Sequence, residues 1–304
     1  MKRYKTLKSK ILVTTGNGYF EEQEWDKPEI TDTEIEVKAL MTGVCRSDID
    51  MMQGNFGPLP LEMQGHEGLG VVTRVGSAVV NAKVGDFVAT RGEPAYSDYY
   101  NARQNEYVVV PEADPKYILE PIACGINVVL QAEQEIRNRE GEGKRLLILG
   151  SGFLAWVAYN TLLLDTFKFD IDVVGSNNKH LWGDRLQSEL QGTYDVVIDL
   201  SSKTDVFDNV VYNENALVIL GSQKTVTTDF AGFLWKACTV IFPSPRTPKF
   251  IECMRVAKKW IEEGHLEVDN FWTKSYNRDI EWQKAFEDGI NRPKNYSRGY
   301  IQWH

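Results

Sequence analysis

Between Gly43 and Gly76 the chain reads GVCRSDIDMMQGNFGPLPLEMQGHEGLGVVTRVG. Cys45 offers a thiolate, His66 an imidazole 21 residues later, and Glu67 a carboxylate beside it. These are the ligand types that hold zinc where one coordination position stays open for chemistry. Structural zinc favours closely spaced cysteine pairs, whereas Cys45, Cys124, Cys238 and Cys253 are widely scattered. A metal bound here is therefore expected to be catalytic. The plainer readings are a small buried hydrophobe for Cys45 and a polar turn residue for His66. Glu67, next to a ligating histidine, either binds the metal itself or tunes the site from behind.

A second chemical signal follows the apolar run Lys144–Leu149, which suits a parallel strand buried on both faces. The run ends in GSGFLA, Gly150 to Ala155, and enters the apolar stretch WVAYNTLLL. Gly150 permits a tight turn and Gly152 a close backbone approach. A pyrophosphate would then sit on the helix N-terminus opened by Phe153 and Leu154. After the next strand, an acidic residue would indicate NAD by binding the ribose hydroxyls. Here the run is Val174-Gly175-Ser176-Asn177-Asn178-Lys179-His180, without a carboxylate. Ser176, Asn177 and Lys179 suit a 2′-phosphate, which favours NADP(H) over NAD(H); the alternative is a polar loop with no such role.

Strands must position these groups. Ile11–Val13 and Glu34–Leu40 read as strands, the second alternating with period two and leading straight to Cys45. Met51–Glu62 is loop-like, and Val71–Val75, Phe87–Ala89 and Tyr107–Val110 continue an all-β pattern. From about Glu120 the pattern alternates. Glu120–Asn138 reads as a helix, further strands fall at Phe169–Val174, Asp195–Leu200, Ala216–Leu220 and Thr239–Phe242, and Lys249–Glu263 is a last helix. This βαβ order implies a doubly wound sheet. Only about 20 residues separate Val174 from Asp195, so part of that sheet is expected to be missing or trimmed to one short helix near Trp182–Leu190.

The motifs GVCRSD (Gly43–Asp48), GHEGLGVVTRVG (Gly65–Gly76), KVGDFV (Lys83–Val88) and GSGFLA occur in the order of the zinc-dependent alcohol dehydrogenases of the medium-chain dehydrogenase/reductase superfamily, which the chain resembles from about Ile35 onward. The resemblance implies a GroES-like β-rich catalytic domain, residues 1–122 and 246–304, and a reduced Rossmann-type dinucleotide-binding domain, residues 123–245. It implies a further metal ligand in Ile118–Cys124. Glu120 is preferred, as in the polyol branch with its similar Glu-Pro, and Cys124 is the alternative. Ser47 resembles the proton-relay hydroxyl, or caps the following helix. Asp48 would orient His66. Asp50 stands where many relatives place a relay histidine, and Arg46 where some reach a cofactor phosphate. Phe56 and Trp272 are candidates for the substrate pocket. The region where relatives carry a four-cysteine structural zinc lobe reads GDFVATRGEPAYSDYYNARQNEYVVVPE, so no structural zinc is expected.

At 304 residues, 42% hydrophobic and with a net charge of −9, the chain can build two cores and argues against nucleic acid or an anionic membrane as its main partner. No apolar run approaches the roughly 20 residues of a membrane span. The dispersed cysteines read as reduced thiols, which makes the cytoplasm the expected compartment. The expected activity is hydride transfer between NADP(H) and an alcohol, aldehyde or ketone at one zinc ion. The competitors are a zinc-free enone or quinone reductase of the same fold and a non-catalytic nucleotide-binding protein on a decayed scaffold. A homodimer is a further expectation from the resemblance.

Overall fold

The computed structural model describes residues 7–55, 64–201, 209–222 and 230–303. The chain divides into two units, Met1–Pro121 with Met254–His304, and Ile122–Cys253. Among the described residues no helix is long and apolar enough to cross a membrane.

The first unit opens with an antiparallel pair, β1 (Leu7–Val13) and β2 (Glu21–Lys27). β3 (Glu34–Gly43) follows, and its Ile35, Val37 and Ala39 are buried on one face, as the period-two pattern requires. Beyond it lie α1 (Arg46–Met52), β4 (Gly68–Val75), β5 (Phe87–Thr90), β6 (Tyr99–Arg103) and β7 (Tyr107–Val110). α2 (Leu119–Leu130) begins in this unit and carries the chain into the second.

In the second unit α3 (Glu133–Arg137) precedes β8 (Arg145–Leu149), α4 (Phe153–Leu164) and β9 (Asp170–Val174). Next come α5 (Lys179–Trp182), a 3-10 turn at Gly183–Arg185, β10 (Leu186–Gln187), β11 (Thr193–Asp199) and β12 (Val211–Leu220). α6 (Phe230–Trp235) and β13 (Thr239–Ile241) close the sheet. The chain returns through α7 (Phe250–Glu262) to β14 (Trp272–Asn277), α8 (Trp282–Asn291) and β15 (Arg298–Gln302).

The second unit's described strands form one parallel sheet in the order β10-β9-β8-β11-β12-β13. Its residues sort by period two. Leu146, Ile148, Val196 and Ile198 pack on one face, while Leu147, Leu149 and Val197 pack on the other. Both faces are covered, which is why the strands read as unbroken apolar runs. Two expectations need correction. The helix expected over Glu120–Asn138 is two helices, interrupted at Gln131 and Ala132. The short helix expected near Trp182–Leu190 lies slightly earlier, as α5 at Lys179–Trp182 followed by the 3-10 turn at Gly183–Arg185, and the outermost strand is kept as the two residues of β10.

The first unit's larger sheet runs β14-β15-β3-β4-β5-β7, with β6 also pairing β3. β4, β6 and β15 are all antiparallel to β3. That topology builds the site. Thr42 near the end of β3 pairs with Gly68 at the start of β4, and Gly43 pairs with Tyr300 of β15. Cys45, Glu67 and Arg298 therefore arrive at the same sheet end from three distant parts of the sequence. A GroES-like domain joined to a Rossmann-like parallel sheet is the resulting architecture.

Candidate metal centre and dinucleotide loop

One ligand atom from each of Cys45, His66 and Glu67 lies within 4.8 Å of the others. Cys45 caps α1 and donates its backbone N–H to Asp48 Oδ2 at 2.8 Å. The cap is thus Cys45 and not Ser47, because the helix starts two residues earlier than a serine cap requires. Ser47 instead places its hydroxyl 3.4 Å from His66 Nε2. Asp48 is fully buried, and its Oδ1 faces His66 Nδ1 at 3.5 Å, the placement expected of a group that orients this histidine. His66 then turns Nε2 toward Ser47, the nitrogen left for a metal.

Glu67 has a partner that the motif did not reveal. Arg298 donates to both of its carboxylate oxygens, at 2.6 and 2.5 Å, with 11% of the arginine side chain and none of the glutamate exposed. Trp272, expected in a substrate pocket, stacks over this guanidinium at 5.0 Å and meets Tyr300 edge-on at 6.0 Å. Its place beside Arg298 follows from the parallel pairing of Trp272 with Arg298 in β14 and β15. The sequence signal for Arg298 was weak, an arginine preceding the short apolar strand at the C-terminus. Phe56 lies outside the described residues.

Charge at this point is concentrated. Asp48, Glu67 and Glu120 are all buried. Burial pulls the His66 imidazole down, but the Asp48 and Glu120 carboxylates and the Cys45 sulfur overcome it and hold its pKa well above the ordinary histidine value. Burial, then the Glu67 charge, pushes the Cys45 thiol up. Burial also raises Asp48, against the opposing pull of His66 and Tyr96. Asp48 Oδ1 has no hydrogen-bond partner of ordinary geometry. Sulfur, imidazole and carboxylates crowded in a buried space with Arg298 as cation fit a divalent metal ion, which supplies the positive charge this donor set calls for. Arg46 turns its Nε to Asp50 Oδ1 at 3.0 Å, with 55% of its side chain exposed. The two residues flanking the site are thereby engaged with each other.

The second unit presents the dinucleotide loop at the end of β8, where neighbouring strands depart in opposite directions. Gly150 adopts φ +109°, a conformation that side chains rarely take, and a Cβ there would lie 3.0 Å from the Leu200 carbonyl. Gly152 caps α4 without a side chain, and a Cβ added there would meet nothing within 4 Å, so the loop leaves room at the start of α4. Ser151 ties in the next loop. Its hydroxyl accepts the Asn177 N–H at 3.0 Å, and its carbonyl accepts Asn178 Nδ2 at 3.0 Å and Trp182 Nε1 at 3.1 Å. Ser176, Asn177 and Lys179 are exposed at the end of β9, beside the glycine loop.

The alcohol dehydrogenase GroES-like domain family matches residues 31–118. An alcohol dehydrogenase of Schizosaccharomyces pombe is 27% identical over 168 residues, 45% of this chain and 47% of that protein. The chain thus spans about half the length of this curated relative. Among solved structures, an Escherichia coli CFT073 alcohol dehydrogenase complexed with NADH aligns with a TM-score of 0.77 at 16% identity, covering 97% of this chain and 99% of that one. A Sinorhizobium meliloti 1021 structure described as a zinc-binding dehydrogenase bound to NADP gives 0.73 at 16% identity, covering 98% and 100%. A GroES-like unit joined to a Rossmann-like sheet defines a two-domain dehydrogenase fold. Residues 31–118 thus match the alcohol dehydrogenase GroES-like domain family, and the chain as a whole shares the two-domain fold of these solved dehydrogenases.

Proposed function

We propose that this protein is a metal-dependent oxidoreductase that transfers hydride between NADP(H) and a small alcohol, aldehyde or ketone. The convergence of Cys45, His66 and Glu67 at one buried point carries this reading. In it Cys45, His66 and Glu120 hold one zinc ion. Glu67, with both oxygens already on Arg298, stands beside the metal as a positioning group. Three protein donors of these types are what a catalytic zinc site would draw from its protein.

Zinc supplies Lewis acidity: it brings a bound water from a pKa near 16 to about 7, an upper bound of roughly 12 kcal/mol of help in deprotonation. The protein's own groups do the rest. Ser47, beside His66 and half-buried, would hydrogen-bond the substrate oxygen, taking its proton while passing its own to water, and the reverse on reduction. Burial of Asp48 and Glu120 keeps bulk water from competing at that point. In the second unit the α4 N-terminus takes the pyrophosphate, while Ser176, Asn177 and Lys179 take the 2′-phosphate of NADP, in a stretch without a competing carboxylate.

The test is zinc per chain for protein purified without chelator, in wild type and Cys45→Ala, with NADPH and NADH oxidation measured on an aldehyde and ketone panel. One zinc lost in the variant, together with turnover favouring NADPH, supports the reading. A wild type that takes up no zinc refutes it and leaves the zinc-free reductase.

We further infer that the protein is a homodimer joined through its second unit. Among the described residues β13 is an edge of the parallel sheet, and beside it in sequence Leu234, Trp235 and Phe242 are 79%, 86% and 69% exposed. With Phe230 these side chains offer roughly 500 Å² of apolar surface, a large part of the about 800 Å² each partner buries in a standard interface. A second copy, presenting the same edge, is the matching occupant. Light scattering of wild type and Trp235→Asp decides it: a dimer that becomes a monomer is expected, and a monomeric wild type overturns it.

A further inference from the structure

Tyr96 is fully buried, and no motif drew attention to it. Its ring meets Phe20 and Phe286 edge-on at 5.7 and 5.4 Å. It also presses on the backbone just before the imidazole: at Gly65, held at φ +77°, an added Cβ would lie 2.6 Å from the Tyr96 ring. Phenylalanine would fill this space equally well. The hydroxyl is the part that packing does not explain, and burying it requires an acceptor.

Two acceptors face it, Asp48 Oδ2 at 2.7 Å and the Gly43 carbonyl at 3.1 Å. One proton serves one of them at a time, and the shorter bond to a carboxylate is the stronger. Asp48 Oδ2 also accepts the Cys45 backbone N–H at 2.8 Å. One oxygen of Asp48 is thus fixed from two sides, and Oδ1 is turned to His66 Nδ1. Rotation of this carboxylate would break two hydrogen bonds in a space closed to water.

We propose that Tyr96 is a positioning residue that, through Asp48, fixes which nitrogen of His66 carries the proton and which is offered to the metal. With Nδ1–H directed at Asp48 Oδ1, 3.5 Å away, Nε2 keeps its lone pair and faces the side of Cys45 and Ser47. Tyr96 touches neither metal nor substrate and acts through two intervening groups. The metal part of this inference rests on the function proposed above; the histidine part does not.

Tyr96→Phe is the test, with Tyr100→Phe as reference. Tyr100 is equally buried and its hydroxyl is bonded to Thr90 at 2.8 Å, so the same atom is lost from the same unit without touching Asp48. Co²⁺ is titrated into the metal-free full chain, following the thiolate-to-cobalt absorption. In parallel, ¹⁵N imidazole shifts of the metal-free proteins are recorded at alkaline pH, where the ring is neutral and its tautomer is visible. Tyr96→Phe should weaken Co²⁺ about 10–100-fold, the usual effect of losing a group behind a metal ligand, and should mix the His66 tautomers. Tyr100→Phe should do neither while losing comparable thermal stability. Equal Co²⁺ affinity and an unchanged tautomer in Tyr96→Phe would overturn the proposal. If wild type binds no Co²⁺, the metal reading fails by itself, and the tautomer comparison still decides the role of Tyr96.

Discussion

Replacing Arg298 with methionine tests the pair that engages both oxygens of Glu67 and, in the proposed reading, keeps it from ligating the metal. Methionine preserves most of the apolar stem against Trp272 but removes the guanidinium, leaving Glu67 buried without its cation. Breaking a buried pair on one side costs about 3–5 kcal/mol, most of it the desolvation of the abandoned charge. The first unit has about 170 residues, for which one kcal/mol moves Tm by about 2–4 °C, so the metal-free variant should melt roughly 6–20 °C lower. Zinc should then rescue the variant more than wild type, since the released carboxylate becomes an extra ligand. Differential scanning calorimetry with and without zinc measures both effects, and Glu67→Gln/Arg298→Met, which removes both charges, should recover part of the loss. A drop below 2 °C in the metal-free single variant would show that the pair is not desolvated. Equal zinc rescue of variant and wild type would show that Glu67 cannot turn to the metal.

Three further outcomes follow from separate parts of the molecule. Lys27→Met should cost about 3 kcal/mol in urea unfolding: Lys27 and Glu36 pair at 3.0 Å with 1% and 5% exposed, and Arg74, at 3.6 Å, keeps the loss at the lower end. Metal affinity should fall as pH falls. His66 and Cys45 both hold their protons more tightly than usual in the metal-free fold, so metal binding must expel protons; Co²⁺ affinity that stays flat between pH 6 and 8 would contradict this. Lys179→Glu should lower the NADPH-to-NADH ratio of kcat/KM about 10–100-fold, the worth of one charge-assisted contact, and an unchanged ratio would remove Lys179 from the 2′-phosphate site.

How much of this was legible in the sequence depended on the range of the interactions. Ile35, Val37 and Ala39 alternate in sequence, so β3 could be read directly, and Leu146 to Leu149 announced a strand covered on both faces. Cys45, His66 and Glu67 were visible because the two strand ends that bring them together carry glycine-marked motifs. β2 was hidden by its own composition, since Glu21–Lys27 is mostly charged and only its pairing with β1 makes it a strand. Arg298 and Tyr96 were hidden for another reason. Each acts over a separation of 231 or 48 residues, through hydrogen bonds that no local pattern encodes.

The shortened crossover shows how local compensation can stand in for missing elements. Between β9 and β11 the chain spends few residues, yet β10 still completes the strand order. This corner is filled largely by Trp182 at the end of α5, 1% exposed and edge-on to Trp156 and Tyr159 of α4 at 5.3 and 5.4 Å. A buried tryptophan covers as much apolar surface as several smaller side chains, and its indole N–H is satisfied by the Ser151 carbonyl. The same indole that fills the corner therefore also holds the glycine loop. Asn177 and Asn178 bind Ser151 from the same short segment, so the trimmed crossover and the phosphate loop form one hydrogen-bonded body. The short crossover thus holds the geometry of Gly150 to Leu154 through the residues that touch the loop, Asn177, Asn178 and Trp182.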